Sequence, residues 1–178
     1  MAQAGTGLGD MLVRGKAMNI FDFAMEKEKY SEDYYRQLAG KTENIGLKNI
    51  FAMLADEEAK HYTIVANMKE NVNPEVAETT ALSDAKEIFV KMRDSADKFD
   101  FNISQVELYN KAKDIEVQSR KFYLEKKEQI ENASQKKIFQ KLADQEQKHF
   151  VLLENIVDFV SRPQTWLENA EWHHLDEY

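Results

Sequence analysis

The stretch FAMLADEEAKH (residues 51–61) returns 88 positions further on as FQKLADQEQKH (139–149). The first copy alone offers three consecutive acids, Asp56, Glu57 and Glu58, and no means of ranking them. The second keeps Asp144 and Glu146 and puts Gln145 where the middle acid stood. The same shift carries Ala24, Glu28, Ser31 and Tyr35 onto Ala112, Glu116, Ser119 and Tyr123, and Glu43-Asn44 onto Glu131-Asn132. One helical unit is written twice, so a pseudo-two-fold arrangement is expected.

Four long helical patterns carry the repeat. They cover about 11–39, with a break expected at Gly40, then 44–70, stopped by Pro74, then 102–130 and 134–161. Short turns join the first to the second and the third to the fourth, which predicts two antiparallel hairpins, 11–71 and 102–161. A crossover over 72–101 links them and is compatible with a further helix over 75–100. It is long enough to run the length of a bundle. Residues 1–10 read as a flexible leader and 162–178 as a tail outside the 11–161 domain. The predicted class is all-α, a ferritin-like four-helix bundle of two duplicated hairpins joined by a long crossover.

Composition agrees. With 6 Gly, 2 Pro and 31% charged residues in 178, there is little material for a turn-rich β protein. No apolar run approaches the length needed to span a bilayer. The first ten residues lack the basic start and apolar stretch of a signal peptide, so a cytoplasmic location is expected. Zero Cys excludes disulfides and thiolate metal sites, and a net charge of −8 disfavours nucleic acid as a partner.

The second pattern buries one stripe: Leu47, Phe51, Leu54, Glu58, His61, Val65, Met68. The fourth repeats it as Phe139, Leu142, Glu146, His149, Leu153, Ile156, Val160. The first and third place Glu28 and Glu116 among Ile20, Ala24, Tyr35 and Leu108, Ala112, Tyr123. Four glutamates and two histidines thus face one apolar interior, with no Lys or Arg at their level. A lone buried carboxylate is prohibitively costly, and bound cations are the natural compensation. Glu28 and Glu58 are equidistant from the first turn, and Glu116 and Glu146 from the second, so all four can converge at one height. Each Glu-x-x-His pair lies on one helix face, about 4.5 Å apart in rise. This arrangement is the one given for di-iron and di-manganese carboxylate bundles.

EKYSEDYY (28–35) with LADEEAKH (54–61), and EVQSRKFY (116–123) with LADQEQKH (142–149), resemble the rubrerythrin branch of the ferritin-like family. The resemblance covers about 20–160 and implies that Glu28, Glu58, His61, Glu116, Glu146 and His149 bind metal. Two departures stand out. The chain has no Cys-rich rubredoxin module, so an external donor, rubredoxin-like or a reductase, is expected. Where the family carries a further Glu on its third helix, this chain has Ser119, mirrored by Ser31.

The function expected is a non-haem di-iron oxidoreductase reducing hydrogen peroxide or dioxygen in oxidative-stress protection, with two iron ions, or manganese or a mixed pair, as cofactor. The alternatives are iron oxidation with storage or delivery, dimanganese catalase chemistry, and a non-catalytic metal-sensing or structural bundle. Symmetry makes Glu58 and Glu146 the bridging ligands and the other four terminal. Tyr35, Tyr123, Asp56 and Asp144 are candidates for holding ligands in place, Tyr35 and Tyr123 otherwise being core aromatics and the two aspartates surface acids. Glu57, about 100° from Glu58 around the helix, reads as surface. Met53 and Met68 read as core fillers, His173-His174 as an exposed pair, and Trp166 and Trp172 as packing the tail. A homodimer is expected from the resemblance.

Overall fold

The computed structural model describes residues 19–95 and 104–162. Leader, tail, Trp166, Trp172 and His173-His174 lie outside them. The elements are α1 (Ile20–Lys41), α2 (Ile45–Lys69), α3 (Ala81–Asp94), α4 (Ser104–Lys126), a single 3-10 turn (Lys127–Gln129) and α5 (Ala133–Ser161). No strand occurs among the described residues, and the fold is an all-α ferritin-like bundle.

The caps repeat with the sequence. Asn44 opens α2 by accepting from the Leu47 amide at 3.0 Å, and Asn132 opens α5 by accepting from Ser134 and Gln135 at 2.9 and 3.1 Å. Asn19 does the same for α1 on Asp22. Helix α2 ends where Asn71 takes a left-handed φ of 59° and Val72 bonds back to the Asn67 carbonyl. The break expected at Gly40 does not occur there. α1 runs through Gly40 to Lys41 and stops at Thr42, whose amide and hydroxyl both bond the Leu38 carbonyl. A glycine costs a helix only about 1 kcal/mol, too little to end one that is packed along its whole length.

Helix α1 packs along α2 and α4 along α5. The hairpins meet through α1 with α4 and α2 with α5, and α3 lies over α2 and α5. At Gly46 an added Cβ would lie 2.3 Å from Met92 Sδ, so the missing side chain lets α3 approach α2.

The core has two apolar parts. One surrounds Tyr35, Leu47, Phe51, Phe89, Leu152 and Phe159; the other surrounds Ala24, Val65, Met68, Tyr123, Phe139 and Leu142. Met68 is fully buried and Met53 packs on the first part from a partly exposed position. Between the two parts runs a layer of acids and histidines.

Candidate metal centre

The duplicated stripes place that layer. Glu28 on α1, Glu58 and His61 on α2, Glu116 on α4, and Glu146 and His149 on α5 are each at most 1% exposed. Their ligand-capable atoms form two groups. Glu28, Glu58, His61 and Glu146 make one, and Glu58, Glu116, Glu146 and His149 the other, with the atoms of each within 4.8 Å of one another. Glu58 and Glu146 belong to both groups, the geometry that bridging carboxylates need. The two imidazoles lie nearly parallel, centroids 5.6 Å apart, with Nδ1 of each turned to the carboxylates. His61 Nδ1 is 3.0 Å from Glu146 Oε1, and His149 Nδ1 is 2.9 Å from Glu58 Oε1.

Most of these atoms lack a hydrogen bond. Both oxygens of Glu58 and of Glu146, Oε2 of Glu28 and of Glu116, and Nδ1 of both histidines are buried without a partner. Buried polar atoms are almost always satisfied, and here these eight meet in one layer. Hard oxygens with two imidazole nitrogens suit Fe(II) or Mn(II), so the residues fit a two-ion cofactor.

Electrostatics without metal show the same strain. Burial pushes the Glu58 and Glu146 carboxyls well above the carboxylate range; repulsion from Glu116 and Glu28 adds for Glu58, and from Glu58 and Glu116 for Glu146. Burial also acts on Glu116, but the neighbouring Glu146 carboxyl and the His149 ring, 3.6 Å away, outweigh it and hold that carboxyl low. For His61 burial opposes the charged ring, yet Glu146 above all raises it well above its ordinary value; Glu116 raises His149 likewise.

Each terminal glutamate is held by a tyrosine of the opposite hairpin. Tyr35 on α1 donates to Glu116 Oε1, and Tyr123 on α4 donates to Glu28 Oε1. Both rings are fully buried, one in each apolar part, and burial pushes both phenols well up. Asp56 and Asp144 do not play the supporting role considered for them. Asp56 is exposed and pairs with Arg36 at 2.9 Å, and the exposed Asp144 accepts from Gln140.

That role falls to the position read as surface. Glu57 is only 8% exposed and Gln145 only 5%, because the crossover before α3 lies over this face of α2 and α5. Lys141 bonds the Val76 carbonyl, Gln145 the Ala77 carbonyl at 2.8 Å, and Lys148 the Glu78 carboxylate. Gln145 Oε1 meets His61 Nε2 at 2.7 Å, while Glu57 takes the Lys60 ammonium at 2.6 Å. Burial works to raise the Glu57 carboxyl, and the Lys60 ammonium, with the Thr79 hydroxyl nearby, outweighs it and holds it low. Sequence periodicity could not place the crossover. The one available signal was an uncharged amide beside a predicted ligand.

The opposite face is open. Between α1 and α4 a cleft of about 550 Å³ is walled by Phe23, Tyr30, Ile115 and Gln118, with Ser31 and Ser119 at its floor. Each serine is 1% exposed and lies three residues beyond a terminal glutamate, Glu28 or Glu116.

The rubrerythrin family model matches residues 19–157 of the chain. No curated protein and no solved structure matches it at a significant level. A duplicated hairpin, a long crossover and a buried layer of four glutamates and two histidines, matched over most of the chain, place this protein in the rubrerythrin family of ferritin-like di-iron proteins.

Proposed function

We propose that the chain is a non-haem di-iron oxidoreductase that reduces hydrogen peroxide or dioxygen with electrons from an external donor. The observation that carries this reading is the pair of buried ligand groups sharing Glu58 and Glu146, whose polar atoms are otherwise orphaned. A bound iron pair supplies two electrons at one place, the number that takes one peroxide to two waters. The residues do the rest. Tyr35 and Tyr123 fix the terminal glutamates, so the ligand set is held from both hairpins. The crossover shuts water out on the α2/α5 side. The α1/α4 cleft admits a small oxidant down to Ser31 and Ser119, one helical turn from Glu28 and Glu116. Tyr35 and Tyr123 each hold a phenolic proton at a ligand oxygen, Glu116 Oε1 and Glu28 Oε1. A rubredoxin-like protein or a reductase delivers the electrons in this reading.

Metal analysis of protein purified from iron-supplemented cells, followed by rapid mixing of its reduced form with peroxide and with dioxygen, tests the reading. About two irons per chain and fast oxidation by one oxidant are expected. Absence of metal, or donor-free oxygen evolution from peroxide by a manganese-loaded protein, would overturn it.

A further inference from the structure

The repeat makes the two halves of the site equivalent, and the crossover makes them different. To position 145 it offers an acceptor, the Ala77 carbonyl, to which Gln145 Nε2 donates. The carboxamide must then present its oxygen to His61, so His61 Nε2 is the donor in the 2.7 Å bond. One ring proton is fixed on Nε2, so the proton that a metal ion displaces is the one on Nδ1, which faces Glu146, Glu28 and Glu58 at 3.0, 3.5 and 3.8 Å. At position 57 the side chain makes no bond to a crossover carbonyl, and the Glu57 carboxylate is turned to the Lys60 ammonium at 2.6 Å. His149 Nε2, the counterpart of the atom that Gln145 holds, is buried with no hydrogen-bond partner.

We infer that Gln145 is a positioning residue that makes the two metal positions unequal, so that the first divalent ion enters the position of His61 and the second that of His149. The inference rests on the two-metal reading. An ion arriving at His61 meets a ring whose orientation and tautomer are already set. At His149 that ordering must accompany binding. Loss of an outer partner of a ligating histidine weakens metal binding about 10–100-fold, and the two positions should differ on that scale.

The test is anaerobic addition of Co(II) to the full-length, metal-free protein labelled with 15N-histidine, its imidazole signals assigned through His61→Gln and His149→Gln. At one equivalent the paramagnetically shifted ring signals should come from His61, in about tenfold or greater excess over His149. At two equivalents both should shift. Gln145→Leu should weaken the first binding step about 10–100-fold and remove the preference. Gln145→Glu, which keeps an acceptor for His61, should retain it. Equal shifts of both rings at one equivalent in the unaltered protein, or a preference that survives Gln145→Leu, would overturn the inference. The first result needs no variant, so a misfolded Gln145→Leu leaves the test intact. Equal binding of two ions defeats this inference alone, whereas no cobalt uptake defeats the two-metal reading as well.

Discussion

Replacing Glu58 by leucine should make the metal-free protein more stable and abolish its response to metal. Both Glu58 oxygens are buried without a hydrogen bond, and burial and then the charges of Glu116 and Glu28 oppose its ionisation. An unsatisfied buried polar atom costs about 1–3 kcal/mol, so the two Glu58 oxygens together cost about 2–6 kcal/mol, and a leucine of similar size carries neither. The gain is partly offset at His149, whose Nδ1 loses the Glu58 oxygen 2.9 Å away. A net gain of about 1–3 kcal/mol is expected, because the His149 ring keeps Glu116 and Glu146 at 3.6 and 3.8 Å and is not left as an unpaired buried charge. For a chain of this size each kcal/mol moves the melting point by about 2–4 °C, so Tm should rise by about 2–12 °C. Metal should act in the opposite sense. At a hundredfold excess over Kd a ligand that binds only the folded state adds about 2.7 kcal/mol, which Glu58→Leu should forfeit because Glu58 belongs to both groups. Calorimetric melts of the chelated and the Fe(II)- or Mn(II)-loaded protein read both effects. A leucine variant that melts below the unaltered protein without metal, and still gains on adding it, would refute the reasoning.

Tyr35→Phe should do the reverse, lowering the metal-free Tm by about 2–12 °C, since Glu116 Oε1 loses its donor at a cost of about 1–3 kcal/mol. An unchanged melt would show that this bond contributes nothing. Stability of the metal-free protein should fall as pH rises. The raised carboxyls of Glu58 and Glu146 stabilise fully below about pH 4.5 and lose that as pH rises through their folded values; the raised His61 and His149 stabilise fully below about pH 6.5 and lose that as pH rises beyond it; Glu116, held low, acts oppositely and only as pH falls below about 4.5. Each extra proton held by the folded state contributes a slope of about −1.4 kcal/mol per pH unit, and denaturant melts from pH 5 to 8 should show a slope that flattens in Glu58→Leu. An equal slope in both proteins would place the effect elsewhere. Ser119→Leu, at the cleft floor, should slow oxidation of the reduced protein by peroxide while the metal content stays the same, as stopped-flow mixing and metal analysis would show. An unchanged rate would point to another route of entry.

The stripe of Glu58, His61, Glu146 and His149 was legible because helical period and burial cost combine: charges in an apolar stripe demand an explanation that local sequence supplies. The repeat added the height of each residue, and Asn44 and Asn132 recur as the caps that set it. What failed was what depends on non-local packing. Glu57 and Gln145 point away from the four-helix interior and are buried only because residues 76–79 lie over them, which no periodicity records. Asp56 and Asp144 misled for a related reason: duplication preserves surface positions as faithfully as functional ones. Gly40 misled because packing outweighs helix propensity.

A single covalent tether has a further consequence. Two identical hairpins associating as separate chains would carry the same residue at every equivalent position, and any change would appear in both at once. Here the two copies share one chain, and the strand between them can lie on only one flank of the symmetric pair. Glutamate at 57 and glutamine at 145 could therefore diverge independently, the glutamine meeting the crossover at the Ala77 carbonyl and the glutamate turning to Lys60 of its own helix. Joining the halves, and not only doubling them, is what lets the two imidazoles differ in the partner each has on its outer nitrogen.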